Sequence, residues 1–154
     1  MMWEKITSPE SVKYNKTKNG FNISGVFKFK KNIKHTRKYT YNTVKSTLTI
    51  DDNIYSFDES FYDIYFQINP NLTVKRLYKN YYTIHTNSSM PHDQLCEINI
   101  ISDNINTNLL CGLDNPLGGW YSPSYDKINI GQTLNTNGNF KSYKNITTII
   151  KIQR

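Results

Sequence analysis

The chain holds three histidines, His35, His85 and His92. Imidazole is the commonest metal ligand and the usual general base near neutral pH, but two ligands on one helix or strand need spacings of two or four residues, and none occurs. The sequence predicts no metal site and no cofactor. Asp51, Asp52, Asp58, Glu59 and Asp63 lie close together and could supply the two carboxylates of a glycoside-cleaving site. Their plainer reading is as turn and solvent-face residues beside a hairpin. There is no Gly-rich phosphate loop, nucleophile elbow or paired-Cys motif, so the usual signatures of phosphoryl and acyl transfer are missing.

Other residue types point to binding. Between Phe27 and Lys38, two phenylalanines interleave with Lys28, Lys30, Lys31, Lys34, Arg37 and Lys38. That pattern forms either an aromatic and cationic surface for a charged chain or the wet faces of two antiparallel strands. Tyr81, Tyr82 and the pair Trp120-Tyr121 could stack on sugar rings or bases, or fill a core. Lysine outnumbers arginine and the net charge is +7, which favours diffuse attraction to polyanions over bidentate recognition. Cys96 and Cys111 read as ordinary buried free thiols.

These side chains need a scaffold, and 154 residues are enough for one domain with its own core. The chain has no alanine, the best helix former, and is rich in Asn, Ile, Thr and Tyr. A helical bundle is excluded. Residues 1–18 are polar, carry Pro9 and show no sustained period, so they read as a lead-in to a single domain over 19–154. Within that domain, runs of period two recur: Phe21 and Ile23, Val26 to Phe29, His35 to Thr43, and Val44 to Ile50. Tyr62, Ile64, Phe66 and Ile68 then alternate with polar residues up to the turn Asn69-Pro70-Asn71. Leu72 to Leu77, Tyr81 to Thr86, Gln94 to Ile101 and Ile105 to Cys111 follow, with turns at Lys79-Asn80 and Asp103-Asn104.

Asp114 to Gly119 is the strongest breaker cluster, and a turn is expected near Asn137-Gly138 before the alternation Ile146, Thr148, Ile150, Ile152. Many short strands at roughly 8–12-residue spacing predict an all-β, antiparallel β-sandwich. No apolar run reaches the ~20 residues of a membrane-spanning helix, and the start lacks the basic-then-apolar stretch of a secretory signal. A soluble chain without an export address is the expectation.

One segment is more particular. Gly119-Trp120-Tyr121-Ser122-Pro123, running into Ser124-Tyr125-Asp126-Lys127, resembles a stretch near the C-terminus of heparinase II/III-like polysaccharide lyases, with Asp126 in place of the usual glycine. Upstream, Gly25-Val26-Phe27-Lys28-Phe29, His35-Thr36-Arg37-Lys38, Leu48-Thr49-Ile50-Asp51-Asp52 and Asp63 to Pro70 are similar to that family's strands, in the same order. The resemblance covers about Asn19 to Ile152. It implies the later part of the C-terminal β-sandwich of an enzyme whose N-terminal α/α toroid cleaves acidic polysaccharides, such as heparan sulfate or alginate, by β-elimination. In that reaction a base removes the proton α to a uronate carboxylate and an acid protonates the leaving oxygen.

The family's His-rich stretch and its toroid have no counterpart here, so no catalytic residue and no metal ligand is carried over. His35 matches a family histidine by position only. The resemblance implies a non-catalytic sandwich that packs on a separate or missing toroid and contacts an acidic polysaccharide. His35, Arg37, Trp120 and Tyr121 are the candidate glycan contacts. A free-standing carbohydrate-binding module with Trp120 and Tyr121 as its stacking platform is the alternative, and a basic nucleic-acid-binding barrel follows from charge and aromatics alone, without a motif. If the early strands of such a sandwich are missing, what remains should expose a sheet edge and an apolar inner face.

Overall fold

Phe66 lies fourteen positions beyond Asp52 on one strand, which would place them about 46 Å apart if that strand were straight, at roughly 3.3 Å per residue. In the computed structural model, which describes residues 9–29, 32–86, 94–114, 117–124 and 127–153, Arg37 bonds to Asp52 and its Cζ also lies 6.0 Å from the Phe66 ring centroid. The strand therefore folds back over itself. That bend turns one antiparallel sheet into two facing layers, the expected all-β sandwich.

The strands are β1 (Ser11–Thr17), β2 (Gly20–Phe29), β3 (Ile33–Asn42), β4 (Thr47–Ile68), β5 (Leu72–Tyr78), β6 (Tyr81–Thr86), β7 (Gln94–Ile101), β8 (Asn106–Leu110), β9 (Leu113–Asp114), β10 (Leu117–Gly118), β11 (Trp120–Ser124), β12 (Lys127–Ile130) and β13 (Gln132–Ile152). The main sheet runs β1-β2-β3-β4-β13-β7-β6-β5, with β8 also on β13. The pairs β9/β10 and β11/β12 form two short ribbons.

β4 and β13 pair along nearly their whole length and belong to both layers. β3 pairs with the first half of β4 and β7 with the last residues of β13, whereas β8 pairs with Thr133 to Asn137. The large layer is therefore β1, β2, β3, the early half of β4, the late half of β13, β7, β6 and β5. Among the described residues the small layer holds the late half of β4, the early half of β13, and β8. Between them Ile54, Ile64, Tyr82, Ile98, Ile100, Leu134 and Ile146 form the core. Tyr82 on β6 donates to Thr107 Oγ1 on β8 at 2.7 Å, a polar contact that joins the two layers.

Expected strands β5 to β8 and the turns at Lys79-Asn80 and Asp103-Asn104 match closely. Three local expectations do not. The strand expected from Val44 begins at Thr47, because Thr43 to Ser46 form the turn between β3 and β4. No turn forms at Asn137-Gly138: β13 runs straight through it, and Gly138 lies opposite Tyr62, whose hydroxyl would come within 3.1 Å of an added Cβ. The glycine makes room for a ring. Asp58 and Glu59, which look like turn formers, lie within β4 where the register slips against β13 between Phe140 and Ser142. Extra residues on one strand of a pair bend it, and this bulge marks the fold-back.

Of the lead-in expected over 1–18, Ser11–Thr17 is strand β1, paired in full with β2 at the sheet edge, and residues 1–8 lie outside those described. Neither cysteine is bridged: Cys96 is half-buried, and Cys111 is exposed rather than buried. No helix among the described residues is long and apolar enough to cross a membrane.

Candidate functional site

Side chains alternate across a strand, so Ile50, Asp52 and Ile54 share the inner face of β4. Asp52 is thus a carboxylate on an apolar row, with 0% of its surface exposed. Cross-strand register places Arg37 opposite Asp52 and His35 opposite Ile54. Arg37 Nε donates to Asp52 Oδ1 at 2.6 Å and Nη2 to Oδ2 at 3.0 Å, while His35 Nε2 lies 2.6 Å from Oδ1. Burial alone would raise the Asp52 pKa. The hydrogen bonds and charges of His35 and Arg37 outweigh it and hold the carboxyl below its usual range.

Two of the four candidate glycan contacts, His35 and Arg37, are therefore brought together, and by a residue whose plainer sequence reading is solvent-facing. Asp52 was legible in principle. Isoleucines two positions before and after it mark the row as buried, and a buried carboxylate demands paired cations.

Beyond this trio the inner face continues across β3, β2 and β1, where no described strand of the small layer covers it. Val12, Ile23, Phe27, Phe29, His35 and Arg37 line a hollow of about 360 Å³ there. Phe29 stacks on His35 with centroids 6.4 Å apart, yet 44% of Phe29 and 62% of Val12 remain exposed. Exposed apolar faces of this kind mark interaction surfaces. The opposite face of the same strands carries the charge: Lys28 lies directly across from Lys34, and Lys28 pairs with Glu10 at 2.6 Å.

Trp120 and Tyr121 sit elsewhere. Gly119 anchors their segment: it has φ of 73°, its carbonyl accepts from Gly112 and Gly131 N–H groups, and its own N–H donates to Thr133 Oγ1. Trp120 donates its Nε1 proton to the Leu113 carbonyl at 2.9 Å. It lines a second hollow, of about 910 Å³, with Tyr65, Gln67, Asp114, Ile128 and Thr133. Tyr121, next along β11, points the other way and does not line it. Tyr65 and Gln67 lie on the face of β4 opposite Phe66, the residue that touches Arg37. The small layer therefore separates the Trp120 hollow from the His35 and Arg37 hollow, and the four candidates do not form one site.

His85 bonds to Thr83 Oγ1 at 2.9 Å on β6, and His92 lies outside the described residues. Among the described residues no three His, Cys, Asp or Glu side chains converge. Of the other acidic residues, Asp51 accepts from Thr147 Oγ1 at 2.8 Å, and Asp63 accepts from the Tyr65 hydroxyl and from the buried Asn135 amide.

No protein-family model and no curated protein sequence matches the chain. Solved structures do. Heparinase III superposes with a TM-score of 0.69 at 15% identity, over 95% of this chain and 22% of that one. Heparan sulfate lyase HepC from Pedobacter heparinus superposes with a TM-score of 0.67 at 16% identity, over 91% of this chain and 21% of that one. The chain thus spans about a fifth of the length of the structures it matches, and its fold is the β-sandwich fold of a portion of heparinase III and heparan sulfate lyase.

Proposed function

We propose that this chain is a non-catalytic β-sandwich portion of a heparinase II/III-type lyase, which packs against the catalytic part and helps to hold an acidic polysaccharide. The observation that carries the reading is the inner face of β1 to β3, which the described residues leave partly exposed. In a fold that makes up about a fifth of heparinase III, a partly exposed apolar face suits a docking surface for the remaining enzyme. The Asp52 trio supports this role. Arg37 places both arms of its fork on Asp52, so its charge is largely compensated and what it presents to the hollow is a rigid, mostly apolar floor.

The glycan part of the reading rests on the net charge of +7 and on the lysines of the opposite face. Retention of the chain on immobilised heparan sulfate, with salt elution ahead of any loss of fold, supports it; flow-through at low salt removes it. The non-catalytic part predicts no ultraviolet signal of unsaturated uronate when the chain alone meets heparan sulfate or alginate. A sustained signal overturns it.

The Trp120 hollow favours a second reading, a carbohydrate-binding module. Its indole and the Tyr65 ring border a space within the usual range for ligand sites of about 300–1,000 Å³. Glycan retention lost in Trp120→Ala, with the fold intact and retention kept when the β1 to β3 face is altered, would favour this module over the docking surface.

A further inference from the structure

A third hollow lies where β13 kinks against the turn between β7 and β8, away from both sites above. Its main feature is Lys144, only 8% exposed although lysine is rarely buried without an acidic partner. The Lys144 ammonium donates to the Asp103 carbonyl and lies 5.6 Å from the centroid of the Tyr62 ring. No carboxylate is within ion-pair distance of it among the described residues, and only one of its three protons has an acceptor there. A carbonyl and a ring face offer partial charges, which compensate a buried ammonium incompletely.

The backbone beside it departs from regular strand geometry at the bulge between Phe140 and Ser142. Residues three apart on a regular strand point to opposite faces, so Lys141 and Lys144 should diverge. Between them Ser142 adopts a φ of 67°, a left-handed conformation that disfavours any residue with a Cβ. Phe140, Lys144 and Ile146 stay on the buried row and Lys141 on the exposed one, yet both lysines border one hollow of about 470 Å³, together with Ser102, Asp103, Asn104 and Asn139.

We propose that this hollow binds one oxyanion group, a sulfate or carboxylate, between Lys144 and Lys141. Two ammonium groups against the single carboxylate of Asp103 leave one positive charge, which matches one such group. Asn104 and Asn139 border the space as amide donors. The anion supplies the counter-charge that Lys144 lacks. The inference stands on this hollow alone and holds whether or not the chain is part of a lyase.

The test is a titration of the full chain with sodium sulfate against sodium chloride at matched ionic strength, followed by amide chemical shifts and by thermal midpoint. Saturable shifts at residues 101–104 and 139–145 under sulfate alone support the site. The same saturation by a sulfated disaccharide, and not by its desulfated form, identifies a glycan-borne group as a ligand. Lys141→Gln, a change at an exposed residue, should weaken binding about tenfold. Lys144→Met should abolish the sulfate response while leaving the midpoint in sulfate-free buffer equal to or above that of the parent, since a buried unpaired charge has been removed. If Lys144 only pins the Asp103 carbonyl, Lys144→Met lowers the midpoint in both buffers, and that result overturns the proposal. Absence of saturation by either probe, or a response unchanged in both variants, also overturns it.

Discussion

Arg37 meets Asp52 through two parallel hydrogen bonds, of 2.6 and 3.0 Å, across adjacent strands of the large layer, and the carboxylate between them is wholly buried. A buried charge pair of this kind contributes little net stability when compared with well-packed apolar residues, but breaking it leaves one charge stranded. Asp52→Ala should therefore cost about 3–5 kcal/mol in urea unfolding, because Arg37 stays behind without its partner. Replacing Arg37 and Asp52 together by apolar residues should cost much less than the two single changes summed. A purely additive double variant would count against the pairing.

The pH dependence has a definite sign. Burial opposes ionisation of Asp52, and the hydrogen bonds and charges of His35 and Arg37 more than offset it, so the folded carboxyl titrates below its unfolded value. Its stabilising contribution is fully present above the usual carboxylate range and is lost as pH falls through the lower folded pKa. The stability gap between the parent chain and Asp52→Ala should shrink on acidification below about pH 4. A gap that widens on acidification would contradict the assignment.

Gly119 is the structural key to the Trp120 segment. With φ at 73°, and with an added Cβ only 2.5 Å from Cys111 Cα, no other residue fits without moving the backbone. Gly119→Ala should destabilise by about 2 kcal/mol or more and alter Trp120 fluorescence, since the Gly112 and Gly131 N–H groups lose their shared acceptor. Unchanged fluorescence and stability would show that the segment tolerates the shift.

The exposed apolar face of β1 to β3 predicts behaviour in solution. Val12 and Phe29 are exposed on it, and β1 is the last strand of the sheet among the described residues. The isolated chain should self-associate at micromolar to millimolar concentrations, and Val12→Lys with Phe29→Lys should shift light scattering towards monomer at little cost in stability. A parent chain that is monodisperse at all concentrations would argue that this face needs no partner.

The two thiols should differ in reactivity. Cys111 is exposed, whereas burial and the neighbouring Glu97 push the Cys96 thiol pKa up. A thiol-exchange reagent at pH 8 should label Cys111 first, with Cys96 following only slowly. Equal labelling rates would indicate that β7 opens readily.

Composition and local period determined a good deal. Absent alanine and recurrent alternation specify an all-β chain, and the short strands β5 to β8 with their turns follow from contacts close in sequence. The order of weak motifs around Gly119 to Pro123 pointed to the lyase sandwich fold that the superpositions then showed. Pairing between distant strands was beyond such signals. The fold-back of β4 is set by a bulge against β13, so Asp58 and Glu59 look like a turn although the strand continues through them. Gly138 looks like a turn because its true role, space for the Tyr62 ring, depends on a partner many residues away. The same reason separates His35 and Arg37 from Trp120. Residue type marked all three as candidates, but which face each side chain takes, and which layer lies between them, follows from long-range register. The burial of Asp52 could be read from the isoleucines on either side of it in its row, whereas that of Lys144 follows from tertiary packing alone.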